Sequence, residues 1–340
     1  MLRLILVVLG WPLLMVVIAS AVLWYRERNP EPPVDHVLTP TQMRSAMQTA
    51  HRALAELRDL PHEEQERLVA QLRAMQQPPR EWLAELEAAD YRILCLGEHH
   101  EPATRQYLAE TFFSRYRVDT LLLEATPAEL EQIERWMDDG RDHVPLLAAD
   151  ISDVITAVRR HSPDVVVRGI EETPAQFEAR AGREGSRDHS LARNFWQAWQ
   201  PGRRNVILYG ALHCSTDPSW LYHNLREQLP PREDVPMHNV RVLGSDQHEP
   251  TRAFVFFLEL LGMAREDFVL PDTAAVPDPV RRWFPSFRQQ ILQRFASLLV
   301  FHHDQAEFER LAKRDRDDAV PVERAPGSSD EWPQWVPAGD

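Results

Sequence analysis

The feature that most constrains this chain is a pattern it carries twice. Ile93-Leu94-Cys95-Leu96-Gly97 runs into Glu98-His99-His100, and Val206-Ile207-Leu208-Tyr209-Gly210 runs into Ala211-Leu212-His213. Short apolar runs closed by glycine read as buried strands of a parallel sheet. A histidine three positions past that glycine lies at the carboxyl end of its strand, where open α/β sheets place ligands. His100 and His213 stand 213 − 100 = 113 positions apart, so they point to one site built from two distant strand ends.

The surrounding pattern agrees with such a sheet. Strands are expected at Arg92–Leu96, Thr120–Leu123, Val165–Ile170, Val206–Tyr209 and Val240–Leu243. Helical patterns lie between or beyond them at Pro102–Tyr116, Pro127–Met137, Ile151–Arg160, Arg187–Trp199 and Pro218–Gln228. This alternation predicts right-handed βαβ units, an α/β fold with a mainly parallel sheet flanked by helices. The run Phe254–Leu261 fits a last strand or the start of a buried helix.

Ahead of the sheet, Leu4 to Trp24 is apolar except for Ser20, long enough to span a bilayer. Ala19-Ser20-Ala21 also fits signal cleavage, but the apolar run continues past it and ends in an interfacial Trp24-Tyr25 pair. The expectation is a retained single-pass N-terminal transmembrane helix, with the soluble part on the extracytoplasmic (periplasmic) side. The domain plan is an anchor over 1–25, a proline-rich linker over 26–38 and a helical segment over 39–89. The α/β core follows over 90–262, then a C-terminal helical cover over 263–320 and a tail without fixed structure over 321–340.

Composition enters by exclusion. A net charge of −14 argues against a nucleic-acid partner, which needs a basic face. Two cysteines exclude a disulfide scaffold and a four-cysteine zinc site. Cys95 and Cys214 read as small buried hydrophobes, with one disulfide beside the site as the alternative. No nucleophile elbow, P-loop or dinucleotide fingerprint is present.

The strand ends hold the chemistry: Glu98 and His100, then Glu124, then Glu171 and Glu172, then His213, then Asp246 and His248. In a parallel sheet these ends share one edge. Two imidazoles with one or two carboxylates (His100, His213, Glu98 and Glu124) could hold a divalent transition metal such as Mn, Fe, Co or Zn. Without metal, the same histidines could act as general bases for a water. Each residue also has a plainer reading. Glu124 could cap the helix entered at Thr126-Pro127, as Glu171 and Glu172 could cap the one at Thr173-Pro174, and His99 should face away from His100. Arg187, capped by Ser186, would start a helix beside its positive end. That invites an anionic substrate group or a developing oxyanion, with surface salt bridging as the alternative.

Taken in order, Leu96-Gly97-Glu98-His99-His100, Leu123-Glu124-Ala125, Arg187-Asp188-x-x-Leu-Ala and Gly210-Ala211-Leu212-His213 resemble the signature of the erythromycin esterase-like, ChaN-like and TraB/Tiki-like superfamily. The resemblance covers roughly Arg92 to Ser215. It implies an α/β fold with Glu98, His100, Glu124, Arg187 and His213 at the site. Its members include macrolide esterases, metal-dependent membrane-anchored proteases and haem-binding lipoproteins. The Gly-Glu-x-His spacing is nearer the ChaN-like branch than the macrolide esterases, yet no cysteine stands near the N-terminus for lipid attachment. The expectation is a membrane-anchored, metal-assisted hydrolase of an ester or amide bond, on a small-molecule or peptide substrate. His100, His213, Glu98 and Arg187 would be catalytic. The alternatives are a haem- or iron-binding protein and a non-catalytic envelope protein.

Overall fold

A computed structural model of the chain describes residues 38–138, 146–180, 187–228 and 235–302. The expected anchor over 1–25, the linker up to residue 37, the Ser186 cap and the tail over 321–340 lie outside the described residues. Among the described residues, no helix is long and apolar enough to cross a membrane.

Seven strands form one sheet: β1 (Ile93–Glu98), β2 (Thr120–Leu123), β3 (Val166–Gly169), β4 (Asn205–Gly210), β5 (Met237–Gly244), β6 (Phe268–Leu270) and β7 (Ser297–Phe301). Their spatial order is β3-β2-β4-β1-β5-β7-β6. Every neighbouring pair is parallel except β6 with β7. All five strands expected from the apolar runs are present, and β1 sits between β4 and β5.

Side chains of alternating parity leave β1 for two different cores. Leu94 and Leu96 join Val206, Leu208, Phe112, Phe113 and Val154 on one face. Ile93 and Cys95 join Ile207, Tyr209, Leu191, Phe195 and Leu225 on the other. Ile93, Leu94 and Leu96 are at most 1% exposed, so each gains about 1.5–3 kcal/mol from burial. A strand covered on both faces cannot alternate apolar with polar, which is why β1 and β4 read as unbroken apolar runs.

Three helices, Pro40–Arg58, His62–Ala74 and Pro79–Ala88, precede the sheet. The first starts at a capping box between Thr39 and Gln42 with Pro40 at its first turn. Its small face of Ala46, Ala50 and Ala53 shares a core with the helix Glu249–Leu260, which buries Phe254, Phe257 and Leu258. The ambiguous run from Phe254 is thus helix.

The C-terminal region corrects the expectation of a helical cover. Helical turns occupy Asp278–Trp283 and Pro285–Leu292, but β6 and β7 complete the sheet. After Ser297, Leu298-Leu299-Val300-Phe301 is a continuous apolar run that periodicity cannot separate from a buried helix. Tertiary context decides it: β7 lies parallel to β5 and places Leu298 and Val300 in the core beneath the Glu249–Leu260 helix.

Candidate active site at the carboxyl ends of the strands

The two glycines of the repeated pattern make the site possible. A Cβ on Gly97 would meet the backbone of Ala211 at 3.0 Å and the Cβ of Cys214 at 3.2 Å. The single turn Ala211–Cys214 that carries His213 can therefore lie directly on β1. Cys95 shares that face of β1, two residues before Gly97, and it is bonded to Cys214 in a disulfide with a Cα separation of 5.5 Å. The reading of these cysteines as free buried hydrophobes is overturned, because the glycine-permitted contact brings their side chains together. A Cβ on Gly210 would lie 2.5 Å from Nε2 of His100 and 3.5 Å from Cδ2 of His213. Both imidazoles converge over this bare glycine.

His100 leaves β1 in the left-handed region, with φ of 58°. Its Nε2 lies 3.4 Å from Oε2 of Glu124, and its Nδ1 lies 3.6 Å from Oε1 of Glu98 and 3.1 Å from Nη2 of Arg105. Nε of Arg105 donates to Glu98 Oε1 at 2.7 Å. On the other side, Nδ1 of His213 is 2.6 Å from Oδ1 of Asp188, while its Nε2 is 3.9 Å from Glu124 Oε1 and 3.3 Å from Nη1 of Arg187. The ring of His213 is held edge-on between Tyr209 and Trp220. Glu124 thus stands between the two histidines. It accepts from the Gly210 N–H at 2.9 Å and from Nη2 of Arg187 at 2.8 Å. Arg187 also forks onto Glu171, its Nε reaching Oε1 at 2.8 Å and its Nη2 reaching Oε2.

The five expected residues Glu98, His100, Glu124, Arg187 and His213 are therefore brought together. Glu124 is not a helix cap, since Thr126 and Glu129 form their own capping box at the next helix. Thr173 and Gln176 do the same ahead of Pro174–Arg180. That frees Glu171 for Arg187 and leaves Glu172 to pair with Arg180 at 2.8 and 3.0 Å. His248 stands apart from the site, bonded to Thr251 and Gln290, with burial and then the Arg241 charge holding its pKa down to about 4. The ring of His99 turns toward His248 rather than toward His100.

Arg105 and Arg241 stand in no motif of the sequence, and Asp188 stands there only as part of the Arg187-Asp188 motif, without a role at the site. Asp188 follows Arg187 in the same helical turn and is 4% exposed, so its adjacency to a motif arginine was the available signal. Arg241 interrupts the apolar run of β5, is 3% exposed, and donates to the carbonyls of Gly97 and Glu98 at 3.3 Å each. Burial, against the pull of Glu98, brings its pKa down to about 9.

Charge balance follows the geometry. Burial works against a protonated His100, but the Glu98 carboxylate beside it and the charge of Glu124 outweigh it, with Arg105 opposing, and the pKa rises. Burial alone would raise the pKa of Glu124. His100, His213, the Gly210 N–H and Arg187 together carry it below the ordinary value of 4.5. A carboxylate with a lowered folded pKa contributes stability fully above the unfolded value and loses it as pH falls through the folded one. Urea unfolding of the chain should accordingly show stability declining as pH drops below 4.5, and Glu124→Gln should flatten that decline. An unchanged slope in the variant would remove Glu124 from the charge balance.

The donor set does not fit a divalent ion as it stands. Both oxygens of Glu124 and one of Glu98 already accept bonds, and the guanidinium of Arg187 faces Nε2 of His213. A dication there would sit beside a fixed cation. Among the described residues, no group of three or more His, Cys, Asp or Glu side chains is arranged to hold a metal.

Fold and site together define an α/β protein with a two-histidine centre at the carboxyl edge of a parallel sheet. No family model and no curated protein matches the sequence. A solved protein from Bacillus cereus is similar in fold at 10% identity and a TM-score of 0.41, over 70% of this chain and 97% of that one. A structure described as bacterial protein toxins shows 15% identity and a TM-score of 0.34, over 61% of this chain and 46% of that one. RRSP, a MARTX toxin effector domain from Vibrio vulnificus, shows 15% identity and a TM-score of 0.32, over 61% and 45%. This chain spans less than half the length of the two toxin structures, and likeness at this level carries no activity across.

Proposed function

We propose that the chain is a hydrolase of an ester or amide bond, peptide bonds included. The observation that carries this reading is the Asp188–His213 pair at 2.6 Å, with Nε2 of His213 and Nε2 of His100 both set against Glu124. A buried carboxylate on Nδ1 leaves Nε2 of His213 as the basic nitrogen, able to take a proton from water as it attacks a carbonyl. His100, the more open of the two with 41% of its side chain exposed, would meet the substrate and hold the leaving group through an N–H hydrogen bond, while the proton that His213 takes from water passes on to that group. Arg187, 28% exposed at its side chain, would stabilise the oxyanion through the guanidinium edge that faces His213. Glu98 and Glu124 orient these groups. The ordered motif resemblance supports the same residues.

With the carboxylates engaged by arginines, a metal-free route fits better than the metal-assisted one. The full chain, assayed against chromogenic esters and peptide amides, should turn over at a rate that exhaustive chelation leaves unchanged. His213→Ala should lower kcat by about 10²–10⁴-fold. A rate lost on chelation and restored by Mn²⁺ or Zn²⁺ would return the metal to the mechanism. Equal rates in wild type and His213→Ala would remove the hydrolase reading.

The exposure of His100 favours one second reading, an imidazole offered to haem or iron. A Soret band on haem addition, lost in His100→Ala, would support it. The disulfide between Cys95 and Cys214 agrees with an oxidising compartment, and so with a domain held outside the cytoplasm by the apolar run at 4–24.

A further inference from the structure

Arg105 belongs to none of the repeated motifs, yet it touches the site at two points. It stands in the helix Pro102–Tyr107, 8% exposed, and its Nε donates to the buried Oε1 of Glu98 at 2.7 Å. The same guanidinium places Nη2 3.1 Å from Nδ1 of His100. A guanidinium carries five N–H donors and no acceptor. Whatever ring nitrogen faces it at hydrogen-bond distance must therefore supply a lone pair. Glu98 fixes the fork at its other end and is itself 2% exposed, so the arginine has little freedom to turn away. Arg241 holds the strand end from the opposite side by donating to the carbonyls of Gly97 and Glu98.

His213 has the reverse arrangement. Its Nδ1 faces a carboxylate, Asp188, which can only accept, while its Nε2 faces a donor, Nη1 of Arg187. From these two environments we infer that Arg105 is a positioning residue that holds His100 with its proton on Nε2, so that the two imidazoles face each other across Glu124 as opposite tautomers. One presents an N–H to Oε2 of Glu124, 3.4 Å away, and the other presents a lone pair. On the hydrolase reading above, this divides the labour before substrate arrives: His213 is set to take the proton of the attacking water, and His100 to offer substrate an N–H hydrogen bond. The carboxylate between them favours the N–H form of His100 and leaves the lone pair of His213 turned toward Arg187. The tautomer assignment itself does not depend on any activity.

The test is ring-nitrogen NMR of the full chain labelled with ¹⁵N-histidine, recorded at a pH high enough that the ring signals no longer move with pH. Signals are assigned by their loss in His100→Gln and His213→Gln. The expected result is a pyridine-type Nδ1 and a pyrrole-type Nε2 for His100, with the reverse for His213. In Arg105→Met nothing obliges Nδ1 to stay a lone pair, and an Nδ1–H form of His100 should appear beside the Nε2–H form, because Glu98 Oε1 lies 3.6 Å from Nδ1 and Glu124 Oε2 lies 3.4 Å from Nε2. Glu98→Gln keeps the arginine contact and should leave the His100 tautomer unchanged. It serves as the second variant should Arg105→Met not fold. His100 protonated on Nδ1 in the wild type, the Nε2–H form alone in Arg105→Met, or a switch in Glu98→Gln would each overturn the inference. Hydrolysis without opposite tautomers would sink this inference alone, whereas opposite tautomers without hydrolysis would sink only the hydrolase reading.

Discussion

Replacing Cys95 and Cys214 together by alanine is expected to lower the free energy of unfolding by about 4–5 kcal/mol. The bond joins residues 119 positions apart, and the entropy of closing a loop that long in the unfolded chain is of this size. The same bond pins the turn Ala211–Cys214 against β1, so the pair of substitutions also loosens the backbone that carries His213. Urea unfolding of wild type with and without reductant, beside the double variant, reads both effects. The reduced wild type and the variant should unfold at similar, lower midpoints, with any hydrolysis lost at urea concentrations well below unfolding. Midpoints unmoved by reductant would mean that the cysteines do not bond in the folded protein.

Arg187→Met is the second large effect. The guanidinium lies among Glu124, Glu171 and His213, and the two carboxylates are only 9% and 15% exposed at their side chains. Removing one partner of a mostly buried ion cluster leaves uncompensated charge and costs about 3–5 kcal/mol. Much of that loss should return in Arg187→Met/Glu171→Gln, because the neutral amide no longer needs the cation. Thermal unfolding of the two variants beside wild type decides it. If the double variant is no more stable than the single, the cost lies in packing of the long arginine side chain and the electrostatic account is wrong.

Much of this was legible before any coordinates. β1 to β5 announce themselves as apolar runs because a parallel strand is covered on both faces and has no polar side to show. The strand-end positions of Glu98, His100, Glu124 and His213 follow from that alone. β7 was not legible, since a serine and four apolar residues carry no period long enough to separate strand from buried helix. The capping question around Glu124 was answerable from the sequence: Thr126-x-x-Glu129 is itself a capping box, and recognising it would have released Glu124 for the site. Asp188 and Arg105 were harder. Asp188 acts through a contact with His213, 25 positions on, and Arg105 by turning back onto Glu98, seven positions earlier at the end of β1, and neither side-chain direction has a signature in the sequence pattern. The disulfide stood in the sequence only as the alternative to two buried thiols, because it depends on how closely a glycine lets a later turn approach.

The position of β1 also sets a timetable for the protein's birth. Both neighbours of this strand come from much later in the chain, β4 beginning at Asn205 and β5 at Met237. While translation runs between them, a chain that has already made Glu98 and His100 carries an apolar strand with two open edges and no β partner for either. Pairings across such sequence distances form slowly, and unpaired edges invite other chains. The centre of the sheet is thus the part exposed longest during synthesis. Truncation between His100 and residue 205 would leave part of a site on an aggregation-prone fragment rather than a smaller working protein.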